Sequence, residues 1–177
     1  MPALLIRPST EADVPAIAAI YAHHVRHGGG TFELEPPDAA EMQRRRADVL
    51  GKPLPWLVAE RGGEPLGYAY ANHFRPRRAY RFCLEDSVYV APGAQGQGVG
   101  RLLLAELLAR CTALGARQML AVIGDADNAA SIGLHRALGF RHTGVLQGSG
   151  WKFGRWLDVV LMQRALGSGA SGPADDR

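Results

Sequence analysis

The residues best placed to do chemistry are one acid and a run of glycines close behind it. Glu85 begins the stretch Glu85-Asp86-Ser87-Val88-Tyr89-Val90, and the turn Pro92-Gly93-Ala94-Gln95-Gly96-Gln97-Gly98-Val99-Gly100-Arg101 follows. A strand that runs through a glycine-rich turn into a helix brings main-chain N–H groups up to a ligand. The start of the helix favours negative charge. The pattern reads as a seat for a diphosphate, with Glu85 setting an acid beside it. Two familiar phosphate motifs are excluded. No Lys-Ser or Lys-Thr pair completes a P-loop, and Gly96-Gln97-Gly98-Val99-Gly100 lacks the G-x-G-x-x-G spacing of a dinucleotide site.

Composition bounds what else this chain does. Its 177 residues, 47% hydrophobic and 21% charged, suit a single domain over 1–166 with a real core. A net charge of +3 is too slight for a nucleic-acid partner. No apolar run is long enough for a membrane span, so no membrane partner is expected. Cys83 and Cys111 fall on different expected elements without metal-ligand spacing. They read as reduced core thiols in a cytoplasmic protein with no metal. The small, polar stretch 167–177 reads as a flexible tail.

The elements that must position Glu85 and the turn follow from hydrophobic spacing. Leu4-Leu5-Ile6 is a strand ended by Pro8, and Thr10 with Asp13 starts a helix that stops near Gly28-Gly29-Gly30. Asp38 caps a second helix, broken by Pro53 and Pro55. Strands follow at 56–60, 66–74 and 81–90. A helix over 99–114 comes next, with Leu102, Leu103, Leu107, Cys111 and Leu114 near one face. A strand over 118–123 and a helix over 128–138 come before two strands, 141–147 and 156–164, joined through Gly148 to Gly154. The order is β-α-α-β-β-β-α-β-α-β-β. It is an α/β (α+β) arrangement: a mixed central sheet with an antiparallel N-terminal meander and a β-α-β-α-β C-terminal half.

Gln95-x-x-Gly98-x-Gly100 resembles the acetyl-CoA signature of the GCN5-related N-acetyltransferases, the GNAT superfamily, and the element order resembles the GNAT fold up to about Leu166. Five segments are similar to the branch that acetylates phosphinothricin and methionine sulfone or sulfoximine. They are Thr31-Phe32-Glu33, Glu85 to Val90, Val122-Ile123-Gly124 with Asn128 to Ser131, Leu134 to Phe140, and Gly150 to Val159.

The resemblance implies attack of an amine on the thioester of acetyl-CoA, with a small amino-acid analogue as acceptor. Glu85 is then the general base, on a strand among Phe82, Leu84 and Val88 where burial raises a carboxylate towards the useful range. Asp86 alternates to the other strand face, as a structural or solvent-facing acid. His135 stands where many GNAT enzymes have a tyrosine. It either protonates the leaving thiolate or only hydrogen-bonds its surroundings. The cofactor is expected against Val88, Tyr89 and Val90 along the strand, Gln95, Gly96, Gln97, Gly98, Val99, Gly100 and Arg101 in the turn, and Asn128 and Ser131 on the later helix. For the acceptor, Phe32 is the expected wall, Arg75 and Arg81 the carboxylate or sulfonyl partners, and Tyr80 or Lys152 a polar tip. Trp56, Trp151 and Trp156 are expected in the core or in a homodimer contact. Acetylation of another small amine or a protein N-terminus stays open, as does a non-catalytic acyl-CoA-binding module.

Overall fold

A computed structural model describes residues 2–174. Its elements are β1 (Leu4–Pro8), α1 (Val14–His27), α2 (Ala39–Gly51), β2 (Trp56–Arg61), β3 (Glu64–His73), β4 (Cys83–Val90), α3 (Val99–Ala113), β5 (Gln118–Gly124), α4 (Ala129–Ala137), β6 (Arg141–Lys152) and β7 (Arg155–Ala165). The order is the one expected from the sequence. The strands form one seven-stranded sheet, β1-β2-β3-β4-β5-β7-β6. β1 to β4 are antiparallel neighbours, β4 and β5 are parallel, and β7 lies antiparallel between β5 and β6.

Helices cover both faces, and alternation along β4 tells them apart. Tyr89 meets Tyr21 of α1 edge-on at 5.0 Å, while Val88 and Val90 lie beside Gly100 of α3. α1 starts where the Asp13 carboxylate accepts the Thr10 N–H at 2.7 Å and is held by both arms of Arg7. Val14, Ile17, Ile20, Tyr21 and Val25 then form its buried stripe.

On α3 the buried stripe is Leu103, Leu104, Leu107, Leu108 and Cys111. Each fully buried leucine contributes about 2 kcal/mol by leaving water. The expected face is corrected at its edges: Leu102 and Leu114 point to solvent, because the core takes the 103/104, 107/108 and 111 positions.

Two further expectations change. β6 does not stop at 147; it bulges between Leu146 and Gly150 and continues to Lys152. The turn is the two residues Phe153 and Gly154, both at positive φ (54° and 71°), which matches the twist of a tight hairpin. The first part of the expected tail packs on the domain: Arg117 donates to the Gly169 carbonyl at 2.7 Å, and Gly169 is buried. Residues 175–177 of that tail lie outside the described residues.

Candidate active site

The site begins where two parallel strands part. β4 and β5 pair only over Cys83–Glu85 and Gln118–Leu120. Hydrogen-bond parity then fixes what β4 offers beyond that point. Ala91 N–H bonds to Leu66 of β3 and Phe74 N–H to the Cys83 carbonyl, so odd positions of β4 face β3. Even positions face β5, as the Phe82 carbonyl does. Beyond Glu85 the main chains of Asp86, Val88 and Val90 therefore front an open cleft. Val88, Tyr89 and Val90 all border that cleft; the Tyr89 main chain turns to β3 and its ring to α1.

The Val90 carbonyl already has a partner, His24 Nε2 of α1 at 2.9 Å. A carbonyl only accepts, so that nitrogen carries the proton. Burial pushes this imidazole below its ordinary value, which keeps it neutral. His24 was not singled out from the sequence; three histidines in five residues carry no hint of which one reaches β4.

The cleft holds about 860 Å³ and runs from the glycine turn to Glu85. Gly96 and Gly98 sit at φ 72° and 81°, conformations that favour glycine, and Gly98 hands the chain to α3. A Cβ on Gly100 would lie 3.4 Å from both Val90 Cγ2 and Leu134 Cδ2, so the bare glycine lets α3 approach β4 and α4. Gln95, Gly96, Gly98, Val99, Gly100 and Arg101 border the cleft together at the start of α3, where main-chain N–H groups and the helix dipole favour an anion. Gln97 turns away: its side chain donates to the Gly93 carbonyl and accepts from Arg61. On the far wall Asn128 caps α4, accepting the Ser131 N–H at 3.2 Å, and both residues border the cleft.

At the deep end stands Glu85. Burial pushes its carboxyl above the ordinary carboxylate value, the neighbouring Asp86 charge adds to this, and Arg75 pulls it back. Tyr70, stacked on Trp56 at 4.1 Å, shares this end.

Of the two roles open to Asp86, structural or solvent-facing, the structure shows the first: it is buried, and its Oδ1 lies 2.9 Å from His135 Nε2. His135 Nδ1 lies 2.8 Å from the Ser131 carbonyl. Burial alone pulls the imidazole down; the Asp86 hydrogen bond and charge more than reverse it, and the net direction is up. Both ring nitrogens are thus engaged.

The four expected acceptor residues fall in two places, Phe32 and Lys152 at the loop after α1 and Arg75 and Arg81 between β3 and β4. Arg75 and Arg81 lie on the 74–82 connection, with their guanidinium groups over the Phe74 and Phe82 rings. Phe32 packs on β6: a Cβ on Gly150 would sit 2.4 Å from its ring. Lys152 is buried and donates to the carbonyls of Gly28 and Thr31 at 3.0 and 2.8 Å. It fastens the glycine loop instead of offering a free tip. Behind that loop Tyr21 donates to Glu33, which Arg45 also binds. This network has no periodic signal in the sequence.

Comparisons with known proteins place the chain in a family. Residues 17–140 match the model of the acetyltransferase (GNAT) family. A phosphinothricin N-acetyltransferase of Alcaligenes faecalis is 60% identical over 167 residues, covering 94% of this chain and 85% of that protein. An L-methionine sulfoximine/L-methionine sulfone acetyltransferase of Pseudomonas aeruginosa is 41% identical, covering 95% and 98%. The crystal structure of a phosphinothricin acetyltransferase from Sinorhizobium meliloti in complex with acetyl-CoA superposes with a TM-score of 0.95 at 48% identity, covering 98% and 94%.

Proposed function

This chain belongs to the GNAT acetyltransferase family, and we propose that it acetylates the α-amino group of a small amino-acid analogue such as phosphinothricin, methionine sulfone or methionine sulfoximine. The observation that carries the reading is Glu85. It is a half-buried acid at the point where β4 and β5 part, at the end of a cleft whose other end is a glycine-rich anion seat.

Acetyl-CoA supplies an activated acetyl thioester. Main-chain N–H groups of Gln95 to Arg101 hold the diphosphate with help from the α3 dipole. The Val88 and Val90 edge pairs with the pantetheine arm, and Asn128 and Ser131 flank it. Glu85 takes the proton from the acceptor ammonium, directly or through a water, and the freed amine attacks the thioester carbonyl. The C–N bond forms, the C–S bond breaks, and the CoA thiolate that leaves takes up the second N–H proton of the attacking amine, so that CoA is released as the thiol.

The acceptor lies on the Glu85 side of β4, under the loop that Lys152 and Phe32 hold. Arg75 supplies positive charge for an acidic head group. The protein incubated with acetyl-CoA and phosphinothricin or methionine sulfone is expected to release free thiol. No release across these acceptors and a panel of amino acids overturns the reading.

The outer face of β6 and β7 supports a homodimer. Trp151 and Trp156 pair across the strands with rings 5.2 Å apart, and they are 57% and 65% exposed, too much apolar area for an uncovered surface. Sedimentation is expected to give a dimer, and Trp156→Asp a monomer.

A further inference from the structure

The reaction as described leaves Asp86 without a task, yet its surroundings are specific. Oδ1 faces His135 Nε2, and His135 Nδ1 faces the Ser131 carbonyl. The carbonyl only accepts, so Nδ1 carries a proton. One proton lies between Nε2 and Oδ1, and the Asp86 hydrogen bond and charge push the imidazole up against the effect of burial. The pair is a charge-assisted hydrogen bond, with side chains 4% and 2% exposed. Phe140 closes it edge-on, with its ring 4.9 Å from the imidazole. The titratable neighbours that feel Asp86 are Glu85 on β4 and Cys111 on α3.

A charge-assisted pair this deep is a poor way to gain stability, since apolar side chains of the same size do as well without the cost of desolvation. What a charged pair adds is direction. His135 is the buried residue of α4. That helix begins at Asn128 and carries Ser131 on its first turn, and the imidazole grips the Ser131 carbonyl itself. On the other side, Asp86 stands two residues from Val88 on the open edge of β4. The pair thus spans the deep end of the cleft from one wall to the other. Asp86 Oδ2 is buried without a hydrogen-bond partner, and Asp86 and His135 both border the cleft.

We propose that Asp86 is a positioning residue for acetyl-CoA: through His135 it ties the first turn of α4 to β4 and sets the width of the gap that takes the pantetheine arm. This rests on the acetyl-CoA reading above. Thiol release by the wild-type protein tests that reading first and separately.

The decisive variant is Asp86→Asn, which keeps the shape and one acceptor oxygen and removes the charge. The KM for acetyl-CoA is expected to rise roughly tenfold, the size of one charge-assisted hydrogen bond, while the acceptor KM stays put. The ¹⁵N resonances of the His135 ring are expected to move towards the neutral pattern at neutral pH. His135→Gln should raise the acetyl-CoA KM to a similar degree, and the double variant should add little, because the two act as one unit. If Asp86→Asn does not fold, the same KM split in His135→Gln decides the matter. A fall in kcat with the acetyl-CoA KM unchanged overturns the proposal and makes His135 a direct proton donor. Equal losses towards both substrates, or additive effects in the double variant, also overturn it.

Discussion

The Lys152 ammonium donates to the Thr31 carbonyl at 2.8 Å, joining the end of β6 to the loop after α1 across 121 residues of chain. A second bond reaches the Gly28 carbonyl. Burial pushes the ammonium below its ordinary value, and Glu33 opposes this, so the loop is held by a cation whose main partners are main-chain oxygens.

Lys152→Met is expected to free the loop. It removes two hydrogen bonds from a charged donor and leaves two carbonyls short, partly offset by removing a costly buried charge, for a net loss of about 2 kcal/mol. Urea denaturation reads the stability and initial-rate kinetics the acceptor KM, which should rise. Arginine should not rescue, because a planar fork does not replace a compact ammonium between two carbonyls. Unchanged stability and acceptor KM would show that the clamp is idle.

The same loop is gripped by missing side chains. A Cβ on Gly124 would meet the Gly29 carbonyl oxygen at 2.4 Å, and one on Gly150 would meet the Phe32 ring at the same distance. Main chain yields less easily than a side chain. Gly124→Ala is therefore expected to cost more stability, about 1–3 kcal/mol, while Gly150→Ala swings Phe32 aside and acts mostly on the acceptor KM. Gly133, inside α4 with open space around its Cβ position, is the control. Alanine there should stabilise by about 0.5–1 kcal/mol. Thermal melts of the three variants give the order, and a Gly150 cost above that of Gly124 would refute it.

What the sequence made legible, and what it hid, divides by range. Element order and the glycine seat are written in local spacing: the apolar stripe of α1, the Gly96–Gly98–Gly100 turn, the alternation of β4. Asp86 shows the limit. Alternation placed it correctly on the face opposite Glu85, but its burial depends on His135, 49 positions away, and no local pattern announces that pairing. Lys152 fails for the same reason. A lysine near a site reads as a free cation until the fold brings two carbonyls onto it. The extension of β6 was hidden by Gly148 and Gly150, which read as a loop and instead form a bulge, one of them making room for Phe32.

Acid stability should report on the start of α1. The Arg7 hydrogen bonds hold Asp13 down, from an ordinary 3.8 to about 2, against the opposing effect of burial. A carboxyl with a depressed folded value contributes stability that is complete above 3.8 and is lost as pH falls towards 2. The contribution is roughly 2 kcal/mol at neutral pH. Asp13→Asn is expected to lower stability at pH 7 and to flatten its dependence on pH between about 4 and 2. Urea midpoints across that range would show it; parallel curves for the two proteins would contradict it.

The pH dependence of the rate turns on Glu85 and Arg75. A general base works only when ionised, and Glu85 titrates above the ordinary 4.5 because burial and the Asp86 charge outweigh Arg75. The acid limb of kcat/KM should therefore lie above 4.5. Arg75→Ala removes the opposing charge and should move that limb higher still, with Arg75→Lys nearly restoring it. Glu85→Gln should abolish the limb and lower kcat by about 10²- to 10⁴-fold. The stability sign is opposite to that of Asp13. A carboxyl with a raised folded value binds its proton more tightly folded than unfolded, so it costs stability as pH rises past 4.5. Glu85→Gln should thus be more stable than the wild type at pH 7 while nearly inactive. That pairing separates a strained catalytic acid from a structural one: loss of stability together with activity would mean that Glu85 supports the fold instead of the reaction.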